Sequence, residues 1–580
     1  IFFLFLAIYI GWLKPAISFL VAIVTMILLG ILQPTDILNG FSNSSIASVI
    51  MLILITAGIR SNFNLEKALD KGFGRAKTYR GFLFSMMPKV AILSSFVNNT
   101  PVVVLMTPYV MNWGKKNNIS PSKLLIPLSY STIIGGMLTI VGTSTTLVLS
   151  GFLLENGLKP INSIDLLLTG LTVCAACILV IVTFCNRLLP NRMDLLAKFE
   201  ADKREYLIEK RLSKESPLIG KTVYEGGLRN LKGVYLVEIV RGDKAVSPVA
   251  PQEVIESGDV LIFAGNTNNI VDLTLSNIGV ELPKKPSPRK DNKLEIIECV
   301  ISANSSLIGK TIKESNFRER YDAAVVAIHR NGEKLRGKLG WMKIKAGDVM
   351  LMYVGDDFRN RVDVYKDIYI IAGEEKEIVT STYNWLKLGI VIGAAILLLI
   401  TQMFTLFTSL LIIMTIMVGT NLITLQNVKR DLDINLVVIL VLSIALGDAM
   451  VKTGAGEIVA SLIIDLLAGY GPIYVLVGLM VVTTTLTSFI TNVGAIAISF
   501  PLAYAISTNL GIDGAPFYLG IAFAASAAFL TPIGYQTNLI VYGPGGYNFR
   551  DFIKIGIPTT AVYLLTALIC IVMLYMDVFV

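Results

Sequence analysis

The 580-residue chain has almost no histidine: its single copy, His329, lies in a polar stretch and not in the long apolar runs. Histidine is a common general base and metal ligand in proteins. Its absence from the apolar sequence excludes histidine-based catalysis or metal binding there. No acid–base pair and no nucleophile with a partner can be named elsewhere, so the sequence does not predict an enzyme.

Cysteine is also scarce, and its five copies form no disulfide pattern. Cys174 and Cys177 make a Cys-x-x-Cys pair, but they lie in the apolar run Leu166–Leu189, which is typical of a transmembrane helix. Small residues packing between helices explain this pair better than a redox or metal site does.

Charged residues are rare outside one region. Of 92 charged residues, 60 lie between Arg192 and Glu377, and the other 394 residues carry only 32. Hydrophobic residues make up 54% of the chain, and the mean hydropathy is +0.67. The net charge is +8, but the sequence contains no basic stripe with interleaved aromatic residues, so no nucleic-acid partner is predicted. This composition predicts a multi-pass protein of a lipid bilayer with one polar insert.

Apolar runs predict two sets of membrane helices, separated by the insert. The first set covers roughly 1–12, 15–32, 47–60, 82–98, 101–113, 123–141, 145–155 and 165–189, with an amphipathic stretch at 64–80. The second covers 385–401, 405–424, 434–451, 472–491, 493–508, 515–531, 536–544 and 555–578, with an amphipathic piece near 455–468. We expect Ile1–Ile10 to belong to a first membrane helix rather than to a signal peptide.

Several of these runs have only about 10 to 17 residues, too few to cross roughly 30 Å of hydrocarbon. They adjoin polar clusters that occur twice, about 393 residues apart: Ser94–Pro101 and Thr487–Gly494. About 43 residues later, Gly142–Gly151 aligns with Gly534–Gly543. Polar clusters in corresponding positions of two halves predict a secondary transporter with inverted repeats, re-entrant hairpins and broken helices.

The two polar clusters predict turns followed by helix starts. We expect the chain to turn at Asn98–Thr100 and to begin a helix at Pro101 or Val102, because proline suits the first helical position. Asn492–Gly494 is expected to do the same. Helix N-terminal amides form an anion site, and nearby amide and carbonyl oxygens suit a small cation. Neither cluster contains a charged residue, so a co-bound sodium ion is expected to offset the charge of an anion. Asp448 and Asp465 lie near segment ends and are expected at the interface.

The insert contains its own repeat. Ser216–Thr222 matches Ser305–Thr311, and each copy ends in Gly-Lys-Thr. The upstream glycine of a phosphate-binding loop is missing, so we interpret both copies as a turn followed by a helix cap. Alternating apolar strands predict two soluble α+β modules. The predicted domains are a first membrane repeat at 1–190, modules at 191–282 and 293–383 with a linker at 283–292, and a second membrane repeat at 384–580.

On these residues the chain resembles the divalent anion–sodium symporters (DASS, of the SLC13 type) over 1–190 and 384–580. Asn98–Thr100 and Thr491–Val493 match the paired Ser-Asn-Thr motifs of that family. Thr531–Asn538, with Tyr542–Tyr547 after it, is the most specific stretch. The insert resembles two RCK-C (TrkA-C-like) modules. The resemblance implies a homodimeric sodium symporter of the inner membrane, with a fixed scaffold domain and an elevator-type transport domain.

The resemblance also implies site residues and ligands. The implied substrate-binding residues are Asn99, Thr100, Thr145, Asn492, Val493, Thr537 and Asn538. The implied sodium-binding residues are Asn98, Asn99, Gly142, Thr143, Thr491, Asn492, Thr531 and Gly534. No cofactor is expected beyond Na⁺ as the coupling ion, and a small regulatory ligand is expected in the RCK-C modules. These modules are expected in the cytoplasm, since they lack disulfide pairing and the loop Gln426–Asp431 adds positive charge.

The departures from the family motifs bear on the substrate. Val493 replaces a threonine, and Thr146 replaces the asparagine that Asn538 retains. Loss of the hydroxyl at Val493 favours sulfate, or a similar tetrahedral oxyanion, over a dicarboxylate, which stays the alternative. A more remote alternative is an RCK-regulated potassium channel or uptake system. It needs a Thr-Val-Gly-Tyr-Gly filter, which Ile140–Thr143 and Pro532–Tyr535 resemble only superficially. A receptor that senses anions is a further alternative.

Overall fold

The chain is described by a computed structural model at residues 15–51, 54, 55, 58, 76, 78–192, 207–265, 280, 281, 295–372, 387–394, 404–424 and 434–579. Short gaps inside these ranges fall at 45, 49, 97, 98, 141, 213–214, 229–233, 243, 247–248, 251, 304, 331–332, 336–338, 356, 366, 388 and 392. The runs predicted at 1–12, 47–60, 64–80 and 385–401, and the linker at 283–292, lie wholly or largely outside the described residues.

In the first half, one helix, Pro34–Ser42, lies outside every predicted run, and the other helices lie close to the predicted runs. The helices are α1 Pro15–Leu28, α2 Pro34–Ser42, α3 Tyr79–Ser94, α4 Asn99–Lys116, α5 Leu125–Gly136, α6 Ser144–Glu155 and α7 Ser163–Leu188, with a 3₁₀ turn at Pro121–Lys123. Side-chain caps mark several starts: Thr78 Oγ1 accepts from the Gly81 amide at the start of α3, and Asn162 Oδ1 accepts from Ile164 at the start of α7. Such a cap stabilises a helix by about 1 kcal/mol.

The insert forms two five-stranded antiparallel sheets and two short helices. Its elements are β1 Leu207–Leu212, β2 Val234–Arg241, β3 Lys244–Val246, β4 Val260–Gly265, β5 Val280–Glu281, β6 Glu295–Ile301, α8 Phe317–Tyr321, β7 Ala323–Arg330, β8 Glu333–Lys334, β9 Val349–Val354, α9 Phe358–Tyr365 and β10 Ile368–Ala372. The strand orders are β3-β2-β4-β1-β5 and β10-β6-β9-β7-β8. Read from opposite edges, these are the same topology, so the sequence repeat of the insert is a structural repeat.

The two Gly-Lys-Thr copies form the predicted turns with capping-type bonds, but the helix expected after each threonine does not start there: residues 223–228 are turns, and α8 begins only at Phe317. Gly220 and Gly309 have φ of 81° and 84°, values that favour glycine. The Thr222 amide donates to Glu225 and the Glu225 amide donates back to the Thr222 hydroxyl, in the reciprocal pattern of a capping box. Thr311 and Glu314 repeat both bonds. These bonds also hold the pKa of Glu225 and Glu314 below the usual range.

In the second half, the helices follow the predicted order. They are α10 Leu406–Gly419, α11 Ile434–Lys452, α12 Ala455–Leu467, α13 Pro472–Phe489, α14 Asn492–Leu510, α15 Ala515–Ser526, α16 Gln536–Tyr542, α17 Phe549–Leu574 and α18 Met576–Phe579. Asp465 is exposed near the end of α12, and Asp448 is partly buried in the last turns of α11. Lys452, at the end of α11, pairs with Asp36 of α2 at 2.7 Å.

Four of these helices are long and apolar enough to cross a membrane, judged on the described residues: α7, α13, α14 and α17. The helices α7 and α17, one from each half, pack together along their length. Within the halves, α3 packs on α5 and α13 packs on α15. The α3–α5 contact is close, since a Cβ on Gly135 would lie 2.3 Å from the Ala91 carbonyl oxygen. These packed pairs bring the polar turns between short helices into the protein interior.

Candidate functional site

The first polar hairpin joins α3 to α4 and is organised around Asn99. The hydroxyl of Ser94, the last residue of α3, lies 2.7 Å from Asn99 Oδ1 and 3.0 Å from the Thr132 carbonyl oxygen of α5. Asn99 is 1% exposed, so its amide must find partners within the protein. A Cβ on Gly136 would lie 2.8 Å from Asn99 Oδ1, which makes glycine necessary at this contact.

The second hairpin, between α13 and α14, repeats this arrangement. Thr487 Oγ1 lies 2.9 Å from Asn492 Oδ1 and 2.6 Å from the Ala525 carbonyl oxygen of α15. Each of the three residues stands 393 positions after its counterpart in the first half. The same hydroxyl, amide and carbonyl are therefore brought together twice by corresponding elements.

A second pair of contacts also recurs. The Thr139 hydroxyl donates to the Ser95 carbonyl and accepts from the Gly142 amide. In the other half, Thr531 donates to the Ser488 carbonyl and Gly534 donates to Thr531. These bonds tie the turn before α6 to the first hairpin, and the turn before α16 to the second.

The two predicted sodium-site glycines lie against backbone oxygens. A Cβ on Gly142 would lie 2.6 Å from the Gly136 carbonyl oxygen and 3.0 Å from that of Ser94. A Cβ on Gly534 would lie 3.2 Å from the Thr487 carbonyl oxygen. Carbonyl and hydroxyl oxygens gathered around a glycine turn are ligands that suit a hard cation.

Contacts across the halves assemble most of the first half-site. Asn99 Nδ2 donates to the Tyr535 hydroxyl at 2.9 Å, and Thr100 Oγ1 donates to Gln536 Oε1 at 3.1 Å. The Tyr535 hydroxyl also reaches the Thr143 side chain, whose hydroxyl lies 3.0 Å from that of Thr145. Four predicted site residues of the first half are thus joined through two residues of the second half.

Thr537 and Asn538 are buried behind this contact. Ser129 Oγ of α5 lies 2.9 Å from the Thr537 hydroxyl and 2.7 Å from Asn538 Oδ1. The Asn538 amide donates to the carbonyls of Ala528 and Thr531. Both side-chain polar atoms of Asn538 therefore have protein partners, and these bonds hold the turn before α16.

The second half-site has fewer contacts across the halves. Thr491 caps α14 by accepting from the Gly494 amide at 3.2 Å, and Asn492 and Val493 are buried at 5% and 4% exposure. Among the hydrogen bonds of the described residues, none joins Asn492 to the first half. The helices themselves meet, because α14 packs against α6 and the rings of Phe500 and Phe152 stack at 5.2 Å.

One predicted helix start is wrong, one predicted sodium ligand lies outside the described residues, and three residues of the site were not predicted. The helix expected to start at Pro101 or Val102 starts at Asn99, because the first-turn amides have no helical partners and proline is tolerated at any of these positions. Asn98, a predicted sodium ligand, lies outside the described residues. Tyr535, Gln536 and Ser129 were missed. The first two stand inside the polar stretch that was singled out, whereas nothing in the local sequence marks Ser129.

The site carries no charged side chain in residues 94–101, 139–146, 487–494 or 531–538. Its groups are hydroxyls, amides, carbonyls and helix N-termini, which lie in broken segments between apolar helices. Polar groups at such positions in a bilayer line an enclosed path for a solute. The fold and site are those of a multi-pass membrane transporter.

Comparison with known proteins shows the family. The chain belongs to the citrate transporter family CitMHS, which it matches over residues 4–409 and 395–579. It is 31% identical over 94% of its length to a candidate sulfur deprivation response regulator of Chlamydomonas reinhardtii, of which it covers 96%. It is 29% identical over 96% of its length to an uncharacterized transporter of Synechocystis, covering 93% of that protein.

A third relative is sodium/sulfate cotransporter 1 of Chlamydomonas reinhardtii. The identity is 27% over 59% of this chain and 41% of that protein. The relatives that bear functional names are therefore mostly transporters, which agrees with the absence of an acid–base pair or nucleophile in the sequence.

Proposed function

We propose that the chain is a sodium-coupled symporter of a divalent anion, with sulfate as the favoured substrate. The observation that carries this proposal is the repeated hairpin, in which Ser94 and Asn99 make the contacts that Thr487 and Asn492 make 393 residues later. Capping alone does not require the same third partner, a carbonyl of the neighbouring helix, in both halves. A pair of equivalent polar turns is what alternating access around one site requires.

Sodium coupling follows from the lack of charge. A desolvated divalent anion held only by neutral donors is unfavourable, and a bound cation offsets that cost. The carbonyl oxygens beside Gly142 and Gly534, with the hydroxyls of Thr139 and Thr531, supply oxygen ligands of the kind sodium needs. The named sodium/sulfate cotransporters among the relatives support the same assignment.

The choice of sulfate rests on the asymmetry of the two half-sites. Thr100 offers a hydroxyl in the first hairpin, while the buried Val493 offers none at the corresponding place. A compact tetrahedral anion can be held by the donors around Asn99, whereas a longer carboxylate needs a second donor set.

A carboxylate substrate is the second candidate, and the family name favours it. The match to the citrate transporter family covers nearly the whole chain. In this alternative, the carboxylate groups bind separately to the two half-sites, and Asn492 supplies the second one without the hydroxyl that Thr100 adds to the first.

Three further assignments belong to this proposal. They are a homodimer with an elevator-type movement, inverted orientation of the two repeats, and a cytoplasmic position of the two modules, which we propose to be RCK-C domains. The repeated strand order of the two sheets supports the assignment of the insert to two copies of one module.

The proposal is tested by uptake of radiolabelled sulfate into proteoliposomes, with and without an inward sodium gradient. Succinate, citrate, phosphate and molybdate serve as competitors. We expect sodium to stimulate sulfate uptake strongly, molybdate to compete, and succinate and citrate to compete weakly. Uptake that is indifferent to sodium contradicts the coupling. Strong citrate or succinate uptake without sulfate uptake establishes the carboxylate alternative.

A further inference from the structure

The two modules of the insert share one fold but have different surroundings. In each, an arginine of the second strand binds an aspartate in the turn before the fourth strand: Arg241 with Asp259 at 2.9 Å, and Arg330 with Asp348 at 2.7 Å. The glycine before each aspartate has a positive φ, 89° for Gly258 and 77° for Gly347. The two turns are therefore matched in sequence, backbone and internal bonds.

Only the turn of the second module meets the helix that carries Thr537 and Asn538. A Cβ on Gly347 would lie 3.2 Å from Leu539 Cγ, so the turn backbone rests on this side chain of α16. A Cβ on Gly543, the C-cap of α16, would lie 2.0 Å from Val349 Cγ2 and 3.1 Å from the Gly347 carbonyl oxygen. Around Gly258, no atom of the described residues lies within 4 Å of the matching position.

The second module also packs against the membrane helices through side chains of several strands. Val300, Val349 and Ile371 belong to the same hydrophobic core as the membrane helices, although they come from three strands of the insert. Strand β10 packs against α4, the helix that begins with Asn99. This module therefore contacts a site helix from each half.

The first module has a separate hydrophobic core and is held by the second. The guanidinium of Arg318, in α8, donates to the carbonyls of Val249 and Leu236. Strand β4 meets β7 across the same boundary. The main contacts of the first module among the described residues are thus made with the second module, which lies against the site helices.

The loop that follows α16 meets the insert a second time. Arg192, the last described residue before the insert, donates to the Gly546 carbonyl and pairs with Asp551 at 2.8 Å. Tyr547 donates to the Ser122 carbonyl, and the Ser122 hydroxyl accepts from the Arg192 amide. The loop Gly543–Tyr547 is thus fixed from both the entry of the insert and its second module.

We propose that the surface formed by Gly347 and Val349 is the coupling interface of the transporter: it sets the position of α16 and thereby the affinity of the site for its anion. The first module acts on the site only through the second. This inference rests on the proposed function, since it concerns the regulation of that site. Because the interface is packed without a gap at Gly543, a shift of the turn must displace α16.

The decisive variant is Gly543→Ala in the full chain. Gly543 has φ of −68°, so alanine fits the backbone, and the nearest obstructions to its methyl group are Val349 and the Gly347 carbonyl. We expect the KM for sulfate uptake to change about five-fold or more, the size of a moderate coupling between sites. Adding Val349→Ala removes the obstructing methyl and should return KM to within about two-fold of wild type. Val260→Ala, at the matched strand position of the first module, is the control and should leave KM unchanged.

A cross-link shows the contact independently of transport. The Gly543 Cβ position lies 3.4 Å from Val349 Cβ. This is just below the usual Cβ–Cβ range of a disulfide, about 3.5–4.5 Å, so a small shift allows the bond. The pair G543C/V349C should form a disulfide under mild oxidation in the membrane, whereas G543C/V260C should not.

The outcomes separate the two proposals. An unchanged KM in G543A, a defect that persists in the double variant, or failure of the cross-link overturns the coupling interface. If wild-type protein transports no sulfate, the proposed function fails, and the cross-link with the thermal stability of the three alanine variants still tests the interface. Should G543A not fold, rescue of folding by Val349→Ala supports the contact and lack of rescue contradicts it.

Discussion

The two hairpins of the membrane part have the same internal hydrogen bonds but different neighbouring residues. In each, a hydroxyl, an asparagine and a helix carbonyl meet in the same way. Around Asn99, however, Tyr535 and Gln536 of the other half add a hydroxyl and an amide. Thr143 and Ser144, which correspond to them by sequence position in the first half, have no described bond to Asn492. The repeat therefore supplies the turn, and the asymmetry is the feature to which we attribute the proposed selectivity.

The largest effect is expected from removing the asparagines. Asn99→Ala and Asn492→Ala each remove the amide partner of a buried hydroxyl, which keeps only its helix carbonyl, at a cost of about 1 kcal/mol, and they remove oxygen ligands from the site. We expect sodium-dependent uptake to fall at least about ten-fold in both, and further in Asn99→Ala because the Tyr535 contact is lost as well. Proteoliposome uptake measures this.

Asn117→Ala is the matched control for this comparison. Asn117 bonds to the Trp113 carbonyl just past the far end of α4, so its loss should spare transport. Near-normal uptake by Asn99→Ala or Asn492→Ala would place the site elsewhere.

A smaller effect is expected at Tyr535, where the halves differ most. Tyr535→Phe removes the hydroxyl between Asn99 and Thr143 but keeps the ring. We expect the KM for sulfate to rise about ten-fold, which corresponds to roughly 1.4 kcal/mol, while the sodium dependence persists. Tyr542→Phe, on the same helix and packed against Phe552, should behave as wild type. Equal changes of KM in Tyr535→Phe and Tyr542→Phe would show that the Tyr535 hydroxyl has no specific role in binding the anion.

The smallest effect is expected from making the second hairpin more like the first. Val493→Thr adds the hydroxyl that Thr100 provides at the corresponding position, in a nearly isosteric but more polar side chain. We expect succinate and citrate to compete with sulfate a few-fold more strongly, with little change in sulfate uptake itself. Val110→Thr, at a buried position in the middle of α4, controls for the added polarity. Unchanged competition would remove Val493 from the account of selectivity.

Local sequence predicted much of this molecule well. Helix bounds lie within a few residues of the expected runs for most described segments, because apolar length and caps such as Asn162 and Thr491 are local signals. The turns of the Gly-Lys-Thr copies and their capping bonds were predicted for the same reason, but the helix expected after each threonine does not start there. The start of α4 was placed two residues late, since proline marks a first helical turn but not a unique position in it.

The sequence by itself determined that this chain is a membrane protein with paired, charge-free polar turns and a duplicated soluble insert. Hydropathy, spacing and repeats can be read from the linear sequence and do not depend on which distant residues meet in the fold. Only the tertiary structure decided that Asn99 meets Tyr535, that Ser129 supports Asn538, and that one of two matched modules rests on α16. Each of these contacts joins residues far apart in the chain, and which of them meet is fixed by how helices of both halves pack together.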